Sequence, residues 1–213
     1  MEQGAAPEPD CAQCPRLAAF RAGNAAAYPD WFNAPVPSFG PPDARLLVVG
    51  LAPGLRGANR TGRPFTGDFA GDLLYATLLE RGLAEGGYAA RADDGMTLSA
   101  CRITNAVRCV PPENKPTTGE INTCRAFLAA EIASLPHLRV ILALGKIAHD
   151  AVIRALGLRL SAHPFVHGAA HALPNGWRLF DSYHCSRYNQ NTGRLTPDMF
   201  RAVVDACLAA LDE

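Results

Sequence analysis

Cys11 and Cys14 form a C-A-Q-C pair near the start of the chain, and Cys109 and Cys124 stand either side of an N-K-P-T turn much further on. Together they offer four soft thiolates as Cys-x2-Cys plus Cys-x14-Cys, a donor set for one zinc ion or one iron–sulfur cluster. Spacing does not separate those two, and a redox C-x-x-C or four unrelated free thiols are the plainer readings. The neighbours favour ligation: Cys109 leads into Val110-Pro111-Pro112 and Cys124 lies inside a predicted helix, so a rigid turn and a helix can aim both sulfurs at one point. Such a centre ties the N-terminus to the middle of the chain and leaves the chemistry to other loops. Cys101 and Cys207 read as core residues. Cys185, beside His184, reads as either a pocket wall or a packing residue.

The elements that must hold these residues follow from apolar runs and punctuation. Arg45 to Gly50 reads as a buried strand that stops at Gly-Leu-Ala-Pro-Gly, a turn able to expose backbone N–H groups. Arg139 to Leu144 reads as a second buried strand passing through Gly145 into a helix from Lys146. Leu98 to Asn105 and Trp177 to Tyr183 bring the total to about four strands, and the strand-loop-helix order implies an α/β fold with a short parallel sheet between helices. Asp68 caps a helix to about Arg81, Thr117 with Glu120 makes a capping box for a helix to about Ser134, and Thr196-Pro197 opens the last helix. In such sheets ligands gather beyond the carboxyl ends of the strands, which singles out the loops 51–67, 105–118 and 184–196.

With 213 residues, 48% of them hydrophobic, the chain can bury one large core, so a single domain over 1–213 is expected. Residues 1–44, the cysteine pair and a proline-rich irregular strap from Ala34 to Pro42, belong to it. Seven cysteines leave one over for any disulfide framework, and neither a signal-peptide pattern nor an apolar run of membrane-spanning length is visible. A reducing bacterial or archaeal cytosol or nucleoid, no membrane partner and a monomer are the expectations. Twenty basic against 20 acidic residues give zero formal charge, which argues against charge-driven wrapping of nucleic acid while leaving room for a local patch.

Four long motifs then coincide. The chain reads G-L-A-P-G from Gly50 to Gly54, G-A-N-R-T-G-R-P-F-T-G-D from Gly57 to Asp68, I-T-N-A-V-R-C-V-P-P-E-N-K-P-T from Ile103 to Thr117 followed by Cys124, and Y-H-C-S-R-Y-N-Q-N-T-G-R-L-T from Tyr183 to Thr196. This combination resembles the uracil-DNA glycosylase superfamily, and most of all its family 5, the iron–sulfur-containing B-type enzymes. The resemblance implies a three-layer α/β/α domain, one 4Fe–4S cluster on Cys11, Cys14, Cys109 and Cys124, no nucleotide cofactor, and excision of deaminated bases from damaged DNA. It also implies that the cluster serves fold or DNA docking and not hydrolysis. Leu51 stands where the neighbouring family 4 carries a Glu, so the group that orients water must be sought elsewhere.

Breaking an N-glycosidic bond develops positive charge on the sugar and negative charge on the base, after the base has left the duplex stack for a pocket. On this reading Phe65 stacks on the flipped base, backbone N–H groups around Leu51, Ala52 and Gly54 bind a base oxygen, and Asn105 reads the base edge. His184 donates to the developing oxyanion, and Asp68 and Asn114 position water and charge near the sugar. Each has a plainer alternative: core packing for Phe65, helix capping for Asp68, turn formation for Asn105 and Asn114. The segment Ser186–Asn191 reads as an exposed polar loop pressing into the gap left by the base, with Ser186, Arg187 and Tyr188 against DNA; Arg56, Arg60, Arg63, Lys115 and Arg194 are placed on backbone phosphates. His163, His167 and His171 read as loop residues in preference to a metal site.

The leading function is a monofunctional glycosylase that releases uracil, and also hypoxanthine and xanthine, leaving an abasic site; only Lys115 offers a lysine in these loops for a lyase reaction. A catalytically weak iron–sulfur lesion binder is the alternative, and a redox protein using the cysteines a third class.

Overall fold

Four apolar runs bury every residue they contain or nearly so, the pattern of strands covered on both faces. The computed structural model describes residues 6–212, and in it the chain forms α1 (Pro15–Ala27), β1 (Leu46–Gly50), α2 (Ala58–Thr61), α3 (Phe69–Glu80), β2 (Ala84–Glu85), β3 (Thr97–Leu98), β4 (Cys101–Asn105), α4 (Thr118–Ser134), β5 (Val140–Leu144), α5 (Lys146–Ala155), β6 (Ala170–Ala172), β7 (Arg178–Ser182), α6 (Arg187–Asn191) and α7 (Pro197–Asp212). The main sheet runs β4-β1-β5-β7-β6, with β4, β1, β5 and β7 parallel and β6 antiparallel at the edge.

Alternate residues of the strands face two cores. Leu46, Val48, Ile103 and Leu142 pack against α3 and α7, while Leu47, Val49, Ile141 and Ala143 pack against α4 and α5. These are the three layers expected. The fifth strand is an addition, three residues of Ala-His-Ala with no β-branched side chain to signal it. The run Leu98–Asn105 is not one strand: Ala100 has φ +54°, and Thr97–Leu98 turns away to pair with Ala84–Glu85. The first helix, α1, carries no sequence signal, because its apolar residues are mostly alanine and its buried positions include Arg21 and Asn24.

The start of α4 behaves as its capping residues dictate. Thr117 and Glu120 form the reciprocal box, Glu120 N–H donating to Thr117 Oγ1 and Thr117 N–H to the Glu120 carboxylate. The strap carries only an isolated bridge between Phe39 and Ile103. It is anchored by Arg108, fully buried, which donates to Ser38 Oγ at 2.8 Å and pairs with Glu131; Arg102 and Thr104 also donate to Glu131, at 2.8 Å each. Together these hold the end of β4 against α4. Among the described residues no helix is long and apolar enough to cross a membrane.

Candidate active site

Beyond the carboxyl ends of β1, β4 and β7 lies a cavity of about 380 Å³, where the strand order reverses direction around β1. Its floor exists because Gly50 has no side chain: a Cβ there would lie 2.5 Å from both Asn105 Oδ1 and Phe65 Cζ. The turn after β1 is pinned to the segment after β4 by Ala106 N–H to Gly50 O and Val107 N–H to Leu51 O, each 2.9 Å. Leu51, Ala52, Pro53 and Gly54 line the wall above it.

Phe65 forms the opposite wall, 5% exposed and with φ +55°, a left-handed conformation costly for a bulky residue. The surroundings hold it there. Tyr75 Oη donates to Pro64 O at 2.6 Å, Tyr88 Oη to Phe65 O at 3.3 Å, and Gly71 packs so closely that a Cβ would overlap Phe65 O at 1.8 Å. Arg63 completes the clamp with two 2.7 Å bonds to the Asp94 carboxylate and one of 2.7 Å to Thr66 Oγ1. Arg63 is 4% exposed and lies over Phe39, Tyr75 and Tyr88. The expectation that Arg63 cradles phosphate is therefore corrected: its guanidinium is consumed by Asp94 and an aromatic box, and it serves the Phe65 loop from inside.

Three buried polar atoms belonging to cavity residues have no protein partner: Asp68 Oδ1, Asn105 Oδ1 and His184 Nδ1. Asp68 occupies the N-cap position of α3, yet its side chain makes no capping bond. Burial raises its pKa, and the nearby amides of Gly71 and Ala70 offset this only in part. Gly54 and Gly57 make the room it occupies. His184 follows β7, its ring tilted 30° to Phe65 with centroids 5.9 Å apart, and burial lowers its pKa to about 4, so the imidazole is neutral at physiological pH. Asn105 is 3% exposed at the end of β4. Asn114 is exposed at the mouth, with φ +57° beside Glu113 at +55°.

The rim combines cations with one projecting aromatic. Ser186–Asn191 is not a loop: Arg187–Asn191 is a helix, and Ser186 caps it by accepting from Asn189 N–H at 3.4 Å. Arg187 lies over Phe69, both lining the mouth, and Tyr188 stands 71% exposed. Arg56 is exposed on the loop after Gly54 and Arg60 on α2, Arg194 lies over Tyr183, and Lys115 is exposed beside Glu113. Neither Arg56, Arg60, Lys115, Tyr188 nor Arg194 lines the cavity itself.

At a separate corner Cys11, Cys14, Cys109 and Cys124 line one narrow apolar cavity with Leu17, Val107 and Phe127. Pro15 at the first position of α1 starts that helix directly after Cys14. Burial raises the thiol pKa values of Cys14, Cys109 and Cys124, the last to about 11, and mutual repulsion adds to the rise. Arg21 donates to Cys109 Sγ at 3.0 Å and to Cys11 O at 3.0 Å, and Arg108 N–H to Cys124 Sγ at 3.4 Å. Cys101 and Cys207 are core residues as expected, and Cys185 packs in the same core with no exposed surface.

Residues 37–207 match the family model described as the uracil DNA glycosylase superfamily. The chain is 50% identical to the type-5 uracil-DNA glycosylase of Thermus thermophilus over 200 residues, 91% of this chain and 90% of that one. It is 44% identical to the type-5 uracil-DNA glycosylase of Mycobacterium tuberculosis over 197 residues, 89% and 74% of the two chains. To the type-5 uracil-DNA glycosylase of Pyrobaculum aerophilum the identity is 41% over 209 residues, 93% and 91%.

Proposed function

Because this chain belongs to the uracil DNA glycosylase superfamily, with type-5 relatives along most of its length, and is a uracil-DNA glycosylase acting on DNA, we propose that the cavity beneath Phe65 takes the everted base and that Asp68, Asn114 and His184 carry the hydrolysis. The observation that carries this is the convergence of three unpartnered buried polar atoms, Asp68 Oδ1, Asn105 Oδ1 and His184 Nδ1, among residues of one cavity. An orphaned buried polar atom costs about 1–3 kcal/mol, a cost a folded enzyme retains where substrate supplies the partner.

The chemistry divides between the two sides of the sugar. Phe65 stacks on the base, Asn105 Oδ1 accepts a base N–H, and the amides of Leu51, Ala52 and Gly54 face a base oxygen. As the C1′–N bond breaks, its electron pair passes to the base, and neutral His184 donates to the oxygen on which the charge collects. Asp68, ionised above its raised pKa, and Asn114 at the mouth hold water against C1′; the water forms the new C1′–O bond and yields its proton to the Asp68 carboxylate. The product is a free base and an abasic site, with no enzyme nucleophile. Backbone contacts around Leu51 leave few side-chain demands on the base, which favours hypoxanthine and xanthine as further substrates. Arg56, Arg60, Lys115, Arg187 and Arg194 face phosphates, and Ser186 orients the helix from which Tyr188 projects into the gap.

The four cysteines suit one 4Fe–4S cluster. Buried thiolates that repel one another need a cationic centre, and two N–H donors already point at their sulfurs. Bound there, the cluster supplies a fastening of α1 onto the segment after β4. A single domain over 1–213, acting as a monomer in the cytosol or nucleoid, completes the reading.

The test is anaerobic incubation of protein of measured iron content with matched duplexes carrying uracil, hypoxanthine or xanthine, with His184→Ala beside it. Release of all three bases, lost in the variant, is expected. Uracil release alone would remove the wider base range, and an undiminished His184→Ala would remove the assigned role of His184.

A further inference from the structure

A second buried polar cluster lies outside the cavity. His149 and Asp181 are both 0% exposed. His149 Nδ1 stands 2.6 Å from Asp181 Oδ1, and its Nε2 stands 2.8 Å from the carbonyl oxygen of His163. A carbonyl only accepts, so Nε2 carries a hydrogen. Asp181 Oδ2 also receives Val166 N–H at 3.3 Å and faces His171 Nε2 at 2.9 Å. With Nε2 committed to a carbonyl, a 2.6 Å approach of Nδ1 to the Asp181 carboxyl is the geometry of a buried imidazolium–carboxylate pair. The other groups around it are His171 on β6, His163 and Phe165 on the connecting segment, and Asp150 on α5 itself. Burial works against the charged ring, but Asp181 and the His163 carbonyl outweigh it, so its pKa lies above the ordinary value.

Both ends of this pair reach His184. Asp181 is three residues upstream, and its carboxylate and backbone together seat the segment 163–169: Gly168 N–H donates to Asp181 O at 2.8 Å and Asp181 N–H to Ala169 O at 3.0 Å. That segment carries His167, which stacks on Tyr183 at 4.8 Å and accepts Tyr183 N–H on Nδ1 at 3.1 Å. On the other side His149 lies in the first turns of α5, its N–H bonded to Gly145 O at 3.1 Å. Gly145 holds Ser182 O at 2.7 Å and passes so near that a Cβ would sit 3.4 Å from His184 Cβ. We propose that the His149–Asp181 ion pair is the positioning device for His184, locking α5 and the segment 163–169 about the strand end that presents the imidazole to the base. This rests on the role given to His184 above.

Two measurements test it. In 15N-edited NMR at pH 7, His149 is expected to carry hydrogens on both ring nitrogens, and a singly protonated ring would overturn the inference. In single-turnover release of uracil, His149→Phe is expected to lower the rate about 100-fold, the effect of misplacing a group by an ångström. His149→Asn, which keeps a donor toward Asp181, is expected to recover to within about tenfold of wild type, with duplex Kd unchanged in both variants within about twofold. A wild-type rate in His149→Phe, or rate and affinity falling together, would sink the proposal. If His149→Phe does not fold, His167→Leu, which cuts the link to Tyr183, takes its place with the same expected split. His184→Ala run alongside separates the two readings: a full rate there removes the role of His184 itself, whatever the His149 variants do.

Discussion

Gly57 and Asp68 stand so close that a Cβ on the glycine would lie 2.4 Å from Asp68 Oδ2 and 2.8 Å from Asp68 Cβ. A side chain at Gly57 cannot share that space with the Asp68 carboxylate, so Gly57→Ala is expected to displace Asp68. The single-turnover rate should fall by about 10- to 100-fold. A wild-type rate in that variant would mean that Asp68 does not hold the water.

Arg63 supports the same cavity through Phe65. Its pair with Asp94 is almost wholly buried, the side chains 5% and 1% exposed, and Arg63 holds the Asp94 carboxyl well below the usual carboxylate range. Removing one partner of a buried pair strands the other, at a cost of about 3–5 kcal/mol. Arg63→Met is expected to lower the unfolding free energy by that amount in urea titration and to reduce turnover more than DNA affinity, because the left-handed Phe65 loses its clamp. Loss of DNA affinity with unchanged stability would instead return Arg63 to the phosphate-binding surface.

This residue also shows where the sequence stopped being informative. The four parallel strands, the helices after Asp68, Thr117, Gly145 and Thr196, and the glycine turn were legible because apolar runs and caps are local signals. Arg63 was misplaced because its partner Asp94 lies 31 residues away, on a stretch without periodicity. The same holds for His149: the three histidines between 163 and 171 were visible, but nothing local ties them to a helix residue facing Asp181. Asp68 reads equally as a cap and as a catalytic carboxylate because both uses want an aspartate at that position. α1 gives no local signal because its apolar residues are mostly alanine and its buried positions include Arg21 and Asn24 in place of an apolar stripe.

Arg21 itself yields a prediction about the proposed cluster. A guanidinium 3.0 Å from Cys109 Sγ would withdraw charge from the sulfur and favour the reduced state of a cluster bound there. In Arg21→Gln the four cysteines are untouched, so iron content per chain should stay at the wild-type value. The midpoint potential should move negative by roughly 50 mV, close to a tenfold change in a one-electron equilibrium. Voltammetry on the DNA-free protein reads this directly. An unchanged potential at full iron loading would reduce Arg21 to a bond that merely seats Cys11 and α1.

His184 ties stability to pH with a definite sign. Burial lowers its pKa from the ordinary 6.5 to about 4 in the folded protein. Above pH 6.5 both folded and unfolded chains carry a neutral ring, and this group contributes no slope. Between 6.5 and about 4 the unfolded chain takes up a proton that the folded chain refuses, so stability falls as pH falls and levels off below the folded value. His167, whose pKa burial also lowers, acts in the same direction, whereas His149, raised, acts above pH 6.5, where its stabilisation is lost as pH rises. The difference between wild type and His184→Asn isolates the single group: urea midpoints measured from pH 7 down to pH 4 should converge on acidification, the wild type losing more. Parallel curves would mean that the folded chain accepts the proton after all, and that His184 does not meet the base as a neutral donor.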